Sequence, residues 1–193
     1  MNSTGVNWLE LAAAAVGAWS VWLSTREHLW AWPTAIINVL LYVIVFREAK
    51  LYADMGLQLV YAVISVYGWY HWMHGGANDS ALRVSRTPMA TWAWLVGIAA
   101  VGSLGLGRLL SGTTDAALPQ LDASLSVISL AAQWMMTRKL VENWLVWIVL
   151  DVVYVGMFIF KALYVTAGLY AIFLVLAVTG WYAWRESLRR QAA

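Results

Sequence analysis

Residues 22–72 recur without a gap at 134–184, an offset of 112, with 18 identities in 51 aligned positions. The matches include Trp22/Trp134, Thr25/Thr137, Arg26/Arg138, Trp32/Trp144, Tyr42/Tyr154, Phe46/Phe158 and Gly56/Gly168. Each copy closes on Gly-Trp-Tyr-x-Trp, at Gly68–Trp72 and Gly180–Trp184. Shared composition alone would give only a handful of such matches. A duplication narrows the folds open to a chain, because both copies must build the same unit and pack on each other. In a strongly hydrophobic chain it is the mark of transporters made from internal repeats, whose site lies between the halves.

The chain is hydrophobic enough for that reading: 62% of its 193 residues are apolar and 11% are charged. Soluble domains carry roughly 25% charge. Apolar stretches of about 17–25 residues mark membrane spans, and seven are discernible, at 8–24, 30–46, 53–72, 89–110, 121–137, 143–160 and 163–184. The N-terminus lacks a basic segment ahead of its first apolar stretch, where Glu10 sits, so no cleavable signal is expected. The absence of cysteine excludes disulfides and thiol chemistry. No basic run with interleaved aromatics suggests nucleic-acid binding.

Lys and Arg set the expected orientation. The first, third and fifth loops and the C-terminus hold Arg26, Arg83, Arg86, Arg138, Lys139, Arg185, Arg189 and Arg190. The opposite side holds Arg47, Lys50, Arg108 and Lys161. The positive-inside rule then puts the C-terminus in the cytoplasm and the N-terminus outside.

The repeats fall on the spans as three, one and three. Repeat one covers about 8–72, a connector helix about 89–110, and repeat two about 121–184. Four spans separate each helix from its copy, so the copies run in the same direction and the pseudo-twofold lies along the membrane normal. The expected fold is all-α and integral to the membrane, one transporter domain over 1–193 with seven transmembrane helices as two parallel three-helix repeats. Gly97, Gly102, Gly105 and Gly107 give the connector small faces for close helix approach.

Trp144, Trp147 and Asp151 lie at i, i+3 and i+7, on one helical stripe two turns deep. A carboxylate at membrane depth is costly unless it meets a cavity or a partner, so Asp151 is read as a substrate ligand or as a structural polar contact. Val39 aligns with Asp151, leaving Asn38 displaced by one residue, about 100° around the helix. Asn38 and Trp32 are the first-half candidates on that helix. Gln58, whose copy is Tyr170, and Gln133 bring amides into spans that could bind a ligand or join helices. Tyr42 and Tyr154 recur in both halves and could stack on a ring or simply pack. No metal-ligand spacing, phosphate loop or nucleophile with a base is found, so neither a cofactor nor an enzyme activity is expected. A sensor would need an output domain, for which the short tail after Trp184 leaves no room.

Three stretches match a known family. They are Met136-Thr137-Arg138-Lys139-Leu140-Val141-Glu142-Asn143-Trp144-Leu145-x-Trp147 followed by Asp151, then Leu51-Tyr52-Ala53-Asp54-Met55-x-Leu57-Gln58, and Tyr67-Gly68-Trp69-Tyr70-x-Trp72. Over nearly its whole length the chain resembles the PnuC-type vitamin transporters. The resemblance implies a three-one-three bundle similar to the sugar-carrying SWEET fold. It also implies uptake across the bacterial inner membrane by facilitated diffusion, the cargo then being trapped by a separate cytoplasmic kinase. Nicotinamide riboside is the commonest cargo of such proteins, with thiamine as the alternative and riboflavin in some. The nicotinamide branch often ends its Trp-x-x-Trp-x-x-x motif in Asn where this chain has Asp151. A homo-oligomeric assembly stays open.

Nicotinamide riboside and thiamine each present a flat, singly positive ring. A cation over an indole face gains roughly 0.5–2 kcal/mol, and a nearby carboxylate adds Coulomb attraction. Without an Arg cluster inside the membrane, a nucleotide is disfavoured.

Overall fold

The computed structural model describes residues 8–48, 52–113, 119–160 and 162–192, apart from the side chains of Glu10, of residues 52–54, of Thr113 and of Ala192. Lys50, Lys161 and the Asp54 side chain, named above, lie outside the described residues.

Among the described residues seven α-helices form, as the apolar stretches predict: α1 (Trp8–Thr25), α2 (Ala31–Glu48), α3 (Tyr52–His74), α4 (Met89–Thr113), α5 (Pro119–Thr137), α6 (Asn143–Phe160) and α7 (Tyr164–Ala192). Four of them, α2, α4, α6 and α7, are long and apolar enough to cross a membrane by length and composition alone. The other three, α1, α3 and α5, fall short of that measure among the described residues. The apolar part of α1 runs only over Leu11–Thr25. α3 is rich in phenols, indoles and histidines, and α5 opens on Gln120, Asp122, Ser124 and Ser126. Such groups lower hydropathy although they can face neighbouring helices instead of lipid.

Three non-glycine residues end helices in the left-handed region: Glu27 (φ 55), Lys139 (φ 48) and Ala162 (φ 58). At each, its own amide and the next one cap the helix. His28 N donates to the Leu23 carbonyl at 3.0 Å, Leu140 N to Met135 at 3.1 Å and Leu163 N to Phe158 at 2.8 Å. This is the cap that glycine usually makes, because a side chain there costs of order 1 kcal/mol. Glu27 and Lys139 occupy the same position in the two repeats.

Helix contacts follow the repeat. α1 packs on α2, α2 on α3, α5 on α6, and α6 on α7. Between the halves α1 meets α7 and α3 meets α5, which is one contact made twice at the 112-residue offset. α4 packs on α5, with Trp94, Val96, Val101 and Leu104 of α4 exposed.

Four buried tryptophans fill the end of the bundle where α1 turns into α2 and α5 into α6. Trp32 meets Trp72 edge-on at 5.2 Å and 88°, and Trp144 meets Trp184 at 5.4 Å and 87°. Trp72 and Trp184 join the two pairs at 5.9 Å. The indole N–H of Trp72 donates to the Met136 carbonyl at 3.0 Å, and that of Trp184 to Ser24 at 3.0 Å. The arrangement is thus doubled down to its hydrogen bonds, since Ser24 and Met136 are equivalent positions.

The segment 75–88 is a strap over this cluster. Val84 is buried in it, Leu82 N donates to the Trp72 carbonyl at 3.0 Å, and Ser85 bonds the backbone of Lys139 and Val141 at 3.0 and 2.9 Å. Glu142 anchors its end, with Oε2 accepting from Thr87 N at 2.8 Å and Thr87 Oγ1 at 2.7 Å. Glu142→Ala strands both donors, at a cost of about 1–3 kcal/mol. Limited proteolysis of purified protein should then cut within 75–88 faster than in the parent. An unchanged cleavage rate would mean that the apolar contacts of Leu82 and Val84 hold the strap alone.

Candidate functional site

Asp151 is 3% exposed and, among the described residues, accepts no hydrogen bond and forms no ion pair. It sits on α6 beside Leu150, which is buried against Leu125 and Ala132 of α5. The carboxylate is an electrostatic neighbour of Tyr154 and Tyr170. Tyr61 of α3 and Tyr42 of α2 extend the same neighbourhood from the first half. The Tyr154 and Phe158 rings pack on the Tyr170 ring, at 4.6 and 5.1 Å. The Tyr61 hydroxyl and Ser129 Oγ share a 2.6 Å hydrogen bond that joins α3 to α5.

The proposed stripe on α6 is divided. Trp144 is enclosed in the tryptophan cluster, its ring over Gly180, where an added Cβ would sit 2.6 Å from it. Trp147 spans the gap, packing against both that cluster and the layer around Leu150. Trp32 mirrors Trp144 over Gly68. The indole N–H groups of Trp32 and Trp144 are both buried without a partner among the described residues.

Asn38 goes elsewhere. Its amide donates to the Ala13 carbonyl at 2.6 Å and lies against Gly17, so it joins α2 to α1. Its displacement by one residue from the Asp151 register turns it outward from the position that Val39 fills, itself buried. Gln58 is half-buried one turn before Tyr61, and Gln133 half-buried one turn after Ser129; neither amide is bonded among the described residues. Of the sequence candidates, Asp151 and Tyr154 are thus electrostatic neighbours, Tyr42 reaches them only through Tyr170, and Trp147 lies between this layer and the cluster.

Tyr61, Ser129 and Tyr170 belong to that layer and were not among the sequence candidates. A signal existed. Tyr61 aligns with Phe173, Ser129 with Gly17 and Gln58 with Tyr170, so polarity differs between the copies where the layer forms. Positions that disagree between repeats are the ones free to fit an asymmetric cargo.

The family match and the solved neighbour place this helical bundle in a class, that of membrane transporters and not enzymes. The chain belongs to the nicotinamide mononucleotide transporter family, which matches residues 7–186. It is similar to the nicotinamide riboside transporter PnuC of Escherichia coli (strain K12), 27% identical over 213 residues that cover 97% of this chain and 89% of that one. The riboflavin/roseoflavin transporter RibM of Streptomyces davaonensis is 27% identical over 189 residues, covering 96% and 88%. Among solved structures, the crystal structure of the vitamin B3 transporter PnuC superposes with a TM-score of 0.75 at 26% identity, covering 95% of this chain and 83% of the other. The protein is accordingly a multi-pass inner-membrane transporter of a small vitamin-type molecule.

Proposed function

We propose that the chain imports nicotinamide riboside by facilitated diffusion, with phosphorylation by a separate cytoplasmic kinase keeping the gradient inward. One observation carries the reading: Asp151 is a buried carboxylate with no protein partner among the described residues, and its electrostatic neighbours are the phenols Tyr154 and Tyr170. A bare carboxylate at membrane depth is expensive unless function requires it. A flat cationic ring supplies both missing interactions, Coulomb attraction to the acid and stacking on the rings. Two relatives, the Escherichia coli and Neisseria mucosa proteins, are named for nicotinamide riboside transport, which favours that cation.

Thiamine is the second reading, since its thiazolium ring offers the same charge and Asp stands at the motif position where Asn is expected for nicotinamide riboside. Riboflavin, neutral, would leave Asp151 uncompensated. A mononucleotide would bring a phosphate to an acidic layer in which Asp151 is already unpaired, which disfavours it.

The doubled contacts of α1 with α7 and α3 with α5 support a bundle of two parallel repeats, with α4 as connector between them. The N-terminus then lies outside and the tryptophan end faces the cytoplasm. A periplasm-dependent reporter fused to the C-terminus should be silent.

Calorimetry on purified protein ranks the cargoes. Nicotinamide riboside is expected to bind most tightly, thiamine more weakly, and riboflavin without measurable heat. Binding of riboflavin alone would overturn the reading.

A further inference from the structure

We propose that the tryptophan-filled end is a closed gate latched by Glu27 and Lys139, and that it opens at the α1/α7 contact while the α3/α5 contact acts as the hinge. This goes beyond the cargo and rests only on transport.

The latch is an ion pair between equivalent positions of the two repeats, Lys139 Nζ to Glu27 Oε2 at 2.9 Å. Lys139 is 7% exposed and also stacks on the Trp72 ring at 4.6 Å. Both residues hold left-handed backbones where glycine would be cheaper. Side chains kept at such positions despite the strain indicate that the pair, not the turn, dictates these identities.

The two contacts between halves are unequal. On the α3/α5 side, Tyr61 bonds Ser129, the strap bonds Lys139 and Val141, and Arg138 lies 5.4 Å over Trp134, 5.9 Å over Tyr67 and 3.4 Å from His71 Nε2. On the α1/α7 side the positions equivalent to Tyr67 and His71 are Thr179 and Ala183. Arg26 there covers Trp22, at 4.5 Å, and Thr179 and Ala183 line an open cleft of about 540 Å³ with Arg26, Glu27, Glu186 and Arg190. One contact is filled and strapped. The other is held by Val21 against the tryptophan cluster, by Trp184 on Ser24 and, through Glu27, by the latch. Opening would carry Glu27 away with α1, while Lys139 keeps its indole partner.

Two buried, equivalent sites report on the two contacts: Ala177 on α7, within the tryptophan cluster, and Ser65 on α3. The chain has no cysteine, so Ala177→Cys or Ser65→Cys gives a single thiol. Each is placed in the parent and in Glu27→Gln, and its reaction with a charged maleimide is timed on purified protein without substrate. Glu27→Gln should speed labelling of Ala177→Cys at least about tenfold, since the buried Lys139 loses its half-buried partner. Ser65→Cys should stay protected, and the exchanged pair Glu27→Lys with Lys139→Glu should restore protection at Ala177→Cys. If Glu27→Gln is not monodisperse, Lys139→Gln carries the same expectation. Unchanged labelling at Ala177→Cys removes the latch, and equal acceleration at both sites removes the hinge. Neither result depends on which vitamin binds, so the cargo reading stands or falls separately.

Discussion

Gly180→Ala and Gly68→Ala should each lower the melting temperature of the purified protein, by roughly 2–12 °C at the 1–3 kcal/mol typical of overpacking. The cause is geometric. A Cβ at Gly180 would stand 2.6 Å from two Trp144 ring atoms, and one at Gly68 would stand 2.3 Å from Trp32. Real Cβ contacts essentially never come so near, and both rings are walled in by Trp184 and Trp72, so they have nowhere to swing. Trp144→Phe in the Gly180→Ala background should recover part of the loss, because the smaller ring vacates the contested space. Differential scanning fluorimetry on the two single variants and the double variant reads that coupling. Additive losses would mean that the helices separate to admit the methyl group, and that the indole is not the obstacle.

Asp151→Asn should weaken a cationic cargo by about tenfold or more, since even 1.4 kcal/mol of lost attraction has that effect. The amide is nearly isosteric with the carboxylate, so folding and melting temperature should hold or improve. Removing a buried, unpaired charge relieves a desolvation cost. A neutral cargo should be indifferent or should gain. Binding of nicotinamide riboside and thiamine to the variant is the measurement, and equal affinity for both before and after substitution would exclude Asp151 as the cation's partner. Asp151→Ala should bind no better than Asn and should lose packing against Leu150's layer.

The helices were legible because hydropathy sums over whole segments, and the duplication was legible because its identities lie on scaffold residues. Gly68 and Gly180, Trp72 and Trp184, Thr25 and Thr137 are shared because both copies solve the same packing problem. Asp151 stood out as the one acid deep in its span. Asn38 illustrates what register alone cannot say: one residue turned it from the interior to the Ala13 carbonyl of α1. Tyr61 and Ser129 were hidden for another reason. They lie 68 residues apart and meet only through tertiary packing, which no periodicity within one helix encodes. The same holds for the strap, whose polar sequence reads as a free loop until Glu142 and the Trp72 carbonyl are placed beside it.

The pairing of position 27 with position 139 bears on how such a chain could arise. In a homodimer of a single three-helix unit, a residue beside the twofold axis meets its own copy. A glutamate there would face glutamate, and a lysine would face lysine, so the contact would repel. Attraction at this point needs the two copies to carry opposite signs, which requires them to be encoded separately. The salt bridge between Glu27 and Lys139 is thus available to a fused gene and closed to its symmetric ancestor. Fusion would have given the protein more than a fixed stoichiometry: it let one end of the molecule hold itself shut.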